Sequence, residues 1–125
     1  MKLELDKTAW SMFEDGYDLQ EKKKFSSAFK LYLKAAMLGV PEAQISVANY
    51  YEDGVGVRSD AVLSVYWYKK AVASGLHEAA YNLALHHKNR GARRWYRYWL
   101  ERAANMGDKD AAKELKRELS EKVVR

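Results

Sequence analysis

Four groups of residues in this 125-residue chain have side chains suited to chemistry. The first is its histidines, His77, His86 and His87. A helical metal site draws on imidazoles at i and i+4, stacked on one face. His86 and His87 are adjacent, so on a helix they project to different sides and do not chelate as a pair. His77 belongs to the short turn between two helices, and all three read as surface or partly buried imidazoles. The second group, Glu52-Asp53, has the makings of a carboxylate pair, but it precedes Gly54 and reads as a polar helix end running into a turn. The third, Gly54-Val55-Gly56, lacks the strand, third glycine and lysine that a phosphate loop needs. No serine, histidine and acid fall at a spacing that suggests a triad. Cysteine is absent, which excludes disulfides and thiolate metal sites. The expectation is a protein that is not an enzyme and that uses no metal and no cofactor.

The fourth group is the stretch Arg90-Gly91-Ala92-Arg93-Arg94-Trp95-Tyr96-Arg97-Tyr98-Trp99, in which four arginines alternate with four aromatics. Arginine neutralises phosphates and aromatic faces stack on bases, so nucleic acid is one ligand such a segment suits. An acidic protein surface is another. On a helix Tyr96, Trp99 and Leu100 share one face, expected to be the buried one, while Arg93, Arg94, Arg97 and Tyr98 turn to the other side. A solvated face or protein-contact rim is therefore expected, with nucleic-acid contact as the alternative. The charge distribution points to the same region. The net charge is +5, yet residues 1–85 hold 10 Lys/Arg against 11 Asp/Glu, whereas residues 86–125 hold 12 against 6.

The elements that must position these groups follow from composition and spacing. A hydrophobic content of 48% with 13% aromatics excludes disorder, and one proline with seven glycines fits a mostly helical chain. A chain of this size buries roughly two-thirds of its unfolded surface, enough for one core. The N-terminal Met1–Lys7 stretch has no apolar signal core, and no run approaches the length of a membrane span, so a cytoplasmic location is expected. The motif Lys/Arg-Ala-small-x-x-Gly-x-x-x-Ala occurs three times. Its copies are Lys34-Ala35-Ala36 with Gly39 and Ala43, Lys70-Ala71-Val72 with Gly75 and Ala79, and Arg102-Ala103-Ala104 with Gly107 and Ala111. Small residues let helices approach closely, each glycine suits the left-handed residue that closes a helix, and Pro41 suits a first helical position.

Six or seven helices are expected, at about 7–19, 25–38, 42–52, 61–74, 78–89, 93–106 and 109–123. They make an all-α, α-solenoid fold of about three antiparallel helix pairs, with units near 7–39, 42–75 and 78–107. The last helix, with Leu115, Leu119 and Val123 four apart, reads as a cap whose Lys113, Glu114, Lys116, Arg117 and Glu118 face water. One domain, 1–125, is expected to hold them all.

The second unit closely resembles the Sel-1-like repeat, a relative of the tetratricopeptide repeat. The resemblance rests on Ala43, Val47, Ala48, Tyr51, Gly54, Gly56, Val57, Asp60, Ser64, Trp67, Tyr68, Lys70, Ala71, Val72 and Gly75. The third unit keeps Ala79, Leu83, Ala84, Trp99, Arg102, Ala103, Ala104 and Gly107, has His87 in place of the tyrosine, and shortens the glycine loop by four residues. The first unit resembles a tetratricopeptide repeat, through Gly16, Phe25, Ala28 and Tyr32. The resemblance implies a scaffold that binds proteins through the first helix of each pair. Carried over, that register offers Trp10, Phe13, Tyr17 and Gln20, then Ile45, Asn49 and Glu52, then Tyr81, Leu85 and Lys88. With Arg90, Arg93, Arg94 and Arg97 these are the candidate partner-binding residues, Trp10 and Tyr81 foremost. The function expected is a small cytoplasmic adaptor, or an immunity protein that neutralises a toxin. The alternative is a basic nucleic-acid-binding solenoid using the Arg90–Arg102 segment.

Overall fold

The computed structural model describes residues 7–124, with side chains as far as Glu121. The N-terminal Met1–Asp6 stretch and the Val123 side chain lie outside the described residues. The described chain is all-α, with seven helices and no strand: α1 (Lys7–Glu21), α2 (Phe25–Met37), α3 (Pro41–Asp53), α4 (Ala61–Ala73), α5 (His77–Asn89), α6 (Arg93–Asn105) and α7 (Lys109–Val124). Two compact units divide it, residues 1–71 and 72–125.

In the first unit α1 packs on α2, and α2 on α3. The core stripe of α2 is Ala28, Phe29, Tyr32, Ala35 and Ala36, spaced as a helix buries one face. Opposite it on α1 stands Gly16, where a Cβ would lie 2.9 Å from the Tyr32 ring, so the glycine makes room for that tyrosine. Pro41 opens α3 at its first turn, as expected. Between α3 and α4 the chain turns at Gly54 (φ 68°) and Gly56 (φ 70°). A side chain at Gly56 is impossible without movement, because its Cβ would sit 2.5 Å from the Phe25 carbonyl oxygen. The glycine loop is thus pressed against the start of α2. Asp60 then begins α4, its Oδ1 accepting the Leu63 N–H at 2.9 Å.

In the second unit α5 packs on α6 and α6 on α7. The buried residues of α5 include Ala79, Ala80 and Ala84, and those of α6 are Tyr96, Trp99, Leu100 and Ala103, so small residues on one helix accompany large ones on the other. Tyr96 and Trp99 are buried, as their helical register predicts. His77 proves to be the first residue of α5 rather than a turn residue, because the helix begins one residue earlier than its acidic Glu78 suggested. The expectation for α7 also needs correction. Glu114 and Glu118 turn inward, 17% and 20% exposed, while Leu119 is largely exposed. Basic side chains on α5 and α6 supply partners that draw the two carboxylates in.

Candidate functional site

The candidate residues of the first unit fall into two groups. Trp10, Phe13 and Tyr17 lie along α1. Trp10 meets Phe13 edge to face at 6.3 Å between ring centres, and Phe13 leans on Tyr32 at 5.6 Å. Phe13 is therefore tied to the core, while Tyr17 is half exposed. Two open depressions flank these rings, one lined by Trp10, Glu14 and Asp15, the other by Phe13, Tyr17 and Asp18. This stretch of α1 is aromatic and acidic. The second group is polar and does structural work. Gln20 Oε1 accepts the hydroxyls of Tyr32 at 3.0 Å and Tyr50 at 2.8 Å. Asn49 Oδ1 accepts the Tyr68 hydroxyl, and Glu52 Oε1 accepts the Ser64 hydroxyl at 2.9 Å. Asn49 and Glu52 thereby fasten α3 to α4. Burial pushes the Tyr32 hydroxyl pKa well up, with smaller contributions from Tyr50, Tyr17 and Glu21.

The second unit brings its candidates together around α7. Lys88 Nζ lies 3.2 Å from Glu114 Oε2 and 5.4 Å from the centre of the Tyr96 ring. The Tyr96 hydroxyl donates to the same carboxylate at 3.2 Å, and Arg117 grips its other oxygen at 2.7 Å. Burial opposes the charge on Glu114, but the hydrogen bonds from Lys88 and Tyr96 and the charges of Lys88 and Arg117 outweigh it and hold its pKa below the ordinary carboxylate value. One turn on, Arg93 reaches Glu118 at 3.4 Å. Tyr81 is half buried on α5, and its hydroxyl pKa is raised by burial first and then by Glu114, Asp110 and Asp108 of the α7 end. Lys88, Arg93 and Tyr81 thus face the acidic residues at and before α7.

The outer face of α6 differs. Arg97 pairs with Glu101 at 3.3 Å. Arg90 lies 3.0 Å from His86 Nδ1 and also donates to the His86 carbonyl at 3.2 Å. His86 is buried, and its ring meets that of His87 edge to face at 4.9 Å. Arg94 has no hydrogen bond or ion pair among the described residues. Beside it Trp95 and Tyr98 are 51% and 46% exposed. Their rings touch at 5.7 Å, His87 approaches Trp95 at 6.2 Å, and Tyr98 meets Trp99 at 5.1 Å. Arg102 closes the row, 5.3 Å over the Trp99 ring and 3.5 Å from the Tyr98 hydroxyl. Trp95, Tyr98 and Arg102 were not among the partner-binding candidates, though they belong to the Arg90–Arg102 segment of the nucleic-acid alternative. The signal was available, since Arg94, Trp95, Tyr98 and Arg102 fall on the side of the helix opposite Tyr96 and Leu100.

Among the described residues no three His, Asp or Glu side chains are grouped to hold a metal ion, and no helix is long and apolar enough to cross a membrane. Helices that end at left-handed glycines, cores of alanine against aromatic, and large side chains left outside them define a helical repeat scaffold. The Sel1 repeat family model matches residues 8–40, 41–76, 77–94 and 97–108, and the chain belongs to that family. The match reaches the first unit, where the sequence suggested a tetratricopeptide repeat, and breaks inside the third, beyond its shortened loop. No curated protein sequence matches the chain. Among solved structures it is similar to a Sel1 repeat protein from Oxalobacter formigenes, with a TM-score of 0.71 and 27% identity over 86% of this chain and 87% of that one. It is also similar to c5321, a protective antigen of uropathogenic Escherichia coli strains displaying an SLR fold, with a TM-score of 0.76 and 23% identity. That likeness is one of fold, covering 86% of this chain and 25% of the antigen.

Proposed function

We propose that this chain is a non-enzymatic module that binds another protein through side chains its own fold leaves at the surface. The observation that carries the reading is the half-exposed aromatic residues, Tyr17 on α1, Tyr66 on α4 and Trp95 and Tyr98 on α6, large rings left accessible beside charged residues. Binding surfaces use such aromatic anchors with a polar rim. Membership of a repeat family, whose members present surfaces rather than build pockets, supports it. In its finer form the module is a cytoplasmic adaptor, or an immunity protein that neutralises a toxin. Affinity capture from the native host tests the module. Trp10→Ala and Tyr81→Ala are expected to weaken capture of the identified partner while helical circular dichroism stays intact. Loss of the fold would instead make both residues core, and unchanged capture would remove them from the site. Rescue of host growth when the product of an adjacent gene is toxic would support the immunity form, and failure to rescue would remove it.

The nucleic-acid alternative has Arg94 and the Trp95 ring in its favour. It predicts binding to RNA or DNA at low salt with a steep salt dependence. Absence of binding at low salt would sink it.

A further inference from the structure

The outer face of α6 presents two half-exposed rings, Trp95 and Tyr98, beside Arg94 and Arg102, arginines that no carboxylate of the described residues pairs. Trp67 of α4 and Trp99 of α6 are both buried, and the two repeats align on them with an offset of 32 residues. The core positions then agree, Ala71 with Ala103. Outside, a tyrosine and a basic residue are kept, Tyr66 with Tyr98 and Lys70 with Arg102, while Val62 and Leu63 of α4 give way to Arg94 and Trp95 on α6. A position that only needs to face water has no reason to take tryptophan, and a half-exposed aromatic cluster is a mark of contact.

We infer that the ridge Arg94–Trp95–Tyr98–Arg102 docks an acidic segment of a partner protein, with two carboxylates flanking an apolar side chain. This rests on the protein-binding reading above and assigns one surface and one ligand chemistry to it. Charge complementarity identifies the occupant. Glu101, Glu114 and Glu118 are all engaged by Arg97, Lys88, Arg117 and Arg93. Neither Arg94 nor Arg102 has a carboxylate partner among the described residues. The two arginines are eight residues apart, which along a helix is about 12 Å. Between them the Trp95 and Tyr98 rings form an apolar floor. Arg102 is already held over Trp99 and against the Tyr98 hydroxyl, so little freedom remains to be lost when it meets a carboxylate.

A nucleic-acid strand fits less well. A phosphate track needs a run of available cations. Here Lys88, Arg93 and Arg97 are turned to carboxylates of the chain itself. Along α6 the exposed rings also meet each other and Trp99 edge to face, not as parallel steps for successive bases.

The test uses the full chain and a fluorescein-labelled helical peptide with two glutamates eight residues apart and leucine and phenylalanine between them on the same face. A control peptide carries glutamine for both glutamates, and labelled oligo(dT) serves as the nucleic-acid probe. Fluorescence anisotropy at low salt is expected to show binding of the acidic peptide. Arg94→Glu with Arg102→Glu, and separately Trp95→Ala, should each weaken it about tenfold or more, while Lys113→Ala and Lys116→Ala, at exposed lysines of α7, change it about twofold or less. Absence of binding, equal binding of the glutamine peptide, or indifference to the ridge variants would overturn the proposal. Tighter binding of oligo(dT), or a ridge-dependent rise in mass with protein concentration, would replace the acidic segment by a nucleic acid or a second copy. The separate readings stay distinguishable. If the ridge variants still capture the native partner fully while Trp10→Ala does not, the ridge inference fails and the protein-binding reading stands.

Discussion

Asp108 joins two helices by dividing the labour of its two oxygens: Oδ2 lies 2.8 Å from Nδ1 of His77, the first residue of α5, while Oδ1 accepts the Ala111 N–H at 2.8 Å and caps α7. The hydrogen bond that His77 Nδ1–H donates to Asp108 raises the His77 pKa. Burial, the next largest cause, acts the other way, and the smaller effects of the Glu78 and Asp108 charges add to the rise. Protonated His77 is therefore bound more strongly in the folded state. Its stabilisation is present below the ordinary histidine value of 6.5 and is lost as pH rises through the elevated folded value. Calorimetric melting should show wild-type Tm falling as pH rises from 6.5 through the elevated value, while His77→Gln is flat through the same window. Asp108→Asn should also be flat, yet less destabilised than Asp108→Ala, since asparagine still caps α7.

Lys23 occupies a left-handed conformation, φ 61°, at the end of α1, where α5 has Gly91 at φ 73°. The closure is alike: Lys24 N–H bonds to the Leu19 carbonyl and Ala92 N–H to the His87 carbonyl, each at 2.9 Å. Lys23→Gly should therefore stabilise the chain by about 0.5–1 kcal/mol, the relief of the β-carbon clash less the entropy glycine adds to the unfolded state. Gly56→Ala should do the reverse and cost about 2 kcal/mol or more, because strain adds to the collision with Phe25. Urea denaturation measures both.

Trp67 is buried on α4 at 8% exposure. Trp67→Ala should cost about 3–5 kcal/mol in urea denaturation. Trp95→Ala, on the outer face, should cost under about 1 kcal/mol, as surface substitutions do. Equal losses would mean that Trp95 is part of the core.

Glu114 gathers Lys88, Tyr96 and Arg117. Glu114→Ala leaves the buried Tyr96 hydroxyl without this acceptor and should cost about 1–3 kcal/mol in urea at neutral pH. Because the pKa of Glu114 is lowered, its contribution is complete above the ordinary value of 4.5 and fades as pH falls below it. The difference between wild type and Glu114→Ala should shrink at acid pH.

What the amino-acid sequence determined by itself was the local and the repetitive. Helix ends depend on glycine, proline and spacing within a turn or two. The expected limits fall within two residues of those observed, and even the inward turn of Tyr96 and Trp99 follows from the period of the helix. The glycine motif at Gly39, Gly75 and Gly107 takes its left-handed form in every copy. Which surface side chains remain available was decided only by the tertiary structure. Asn49 and Glu52, read as binding residues, hold Tyr68 and Ser64. Glu114 and Glu118, read as solvated, are drawn in by Lys88 and Arg93. Trp95 and Tyr98, read within the arginine-rich segment but not as binding candidates, are left outside. The physical reason is reach. A helical period states which way a side chain points, but the partner that satisfies its charge stands on another helix, 26 residues away for Lys88 and Glu114, and folding alone brings the two together.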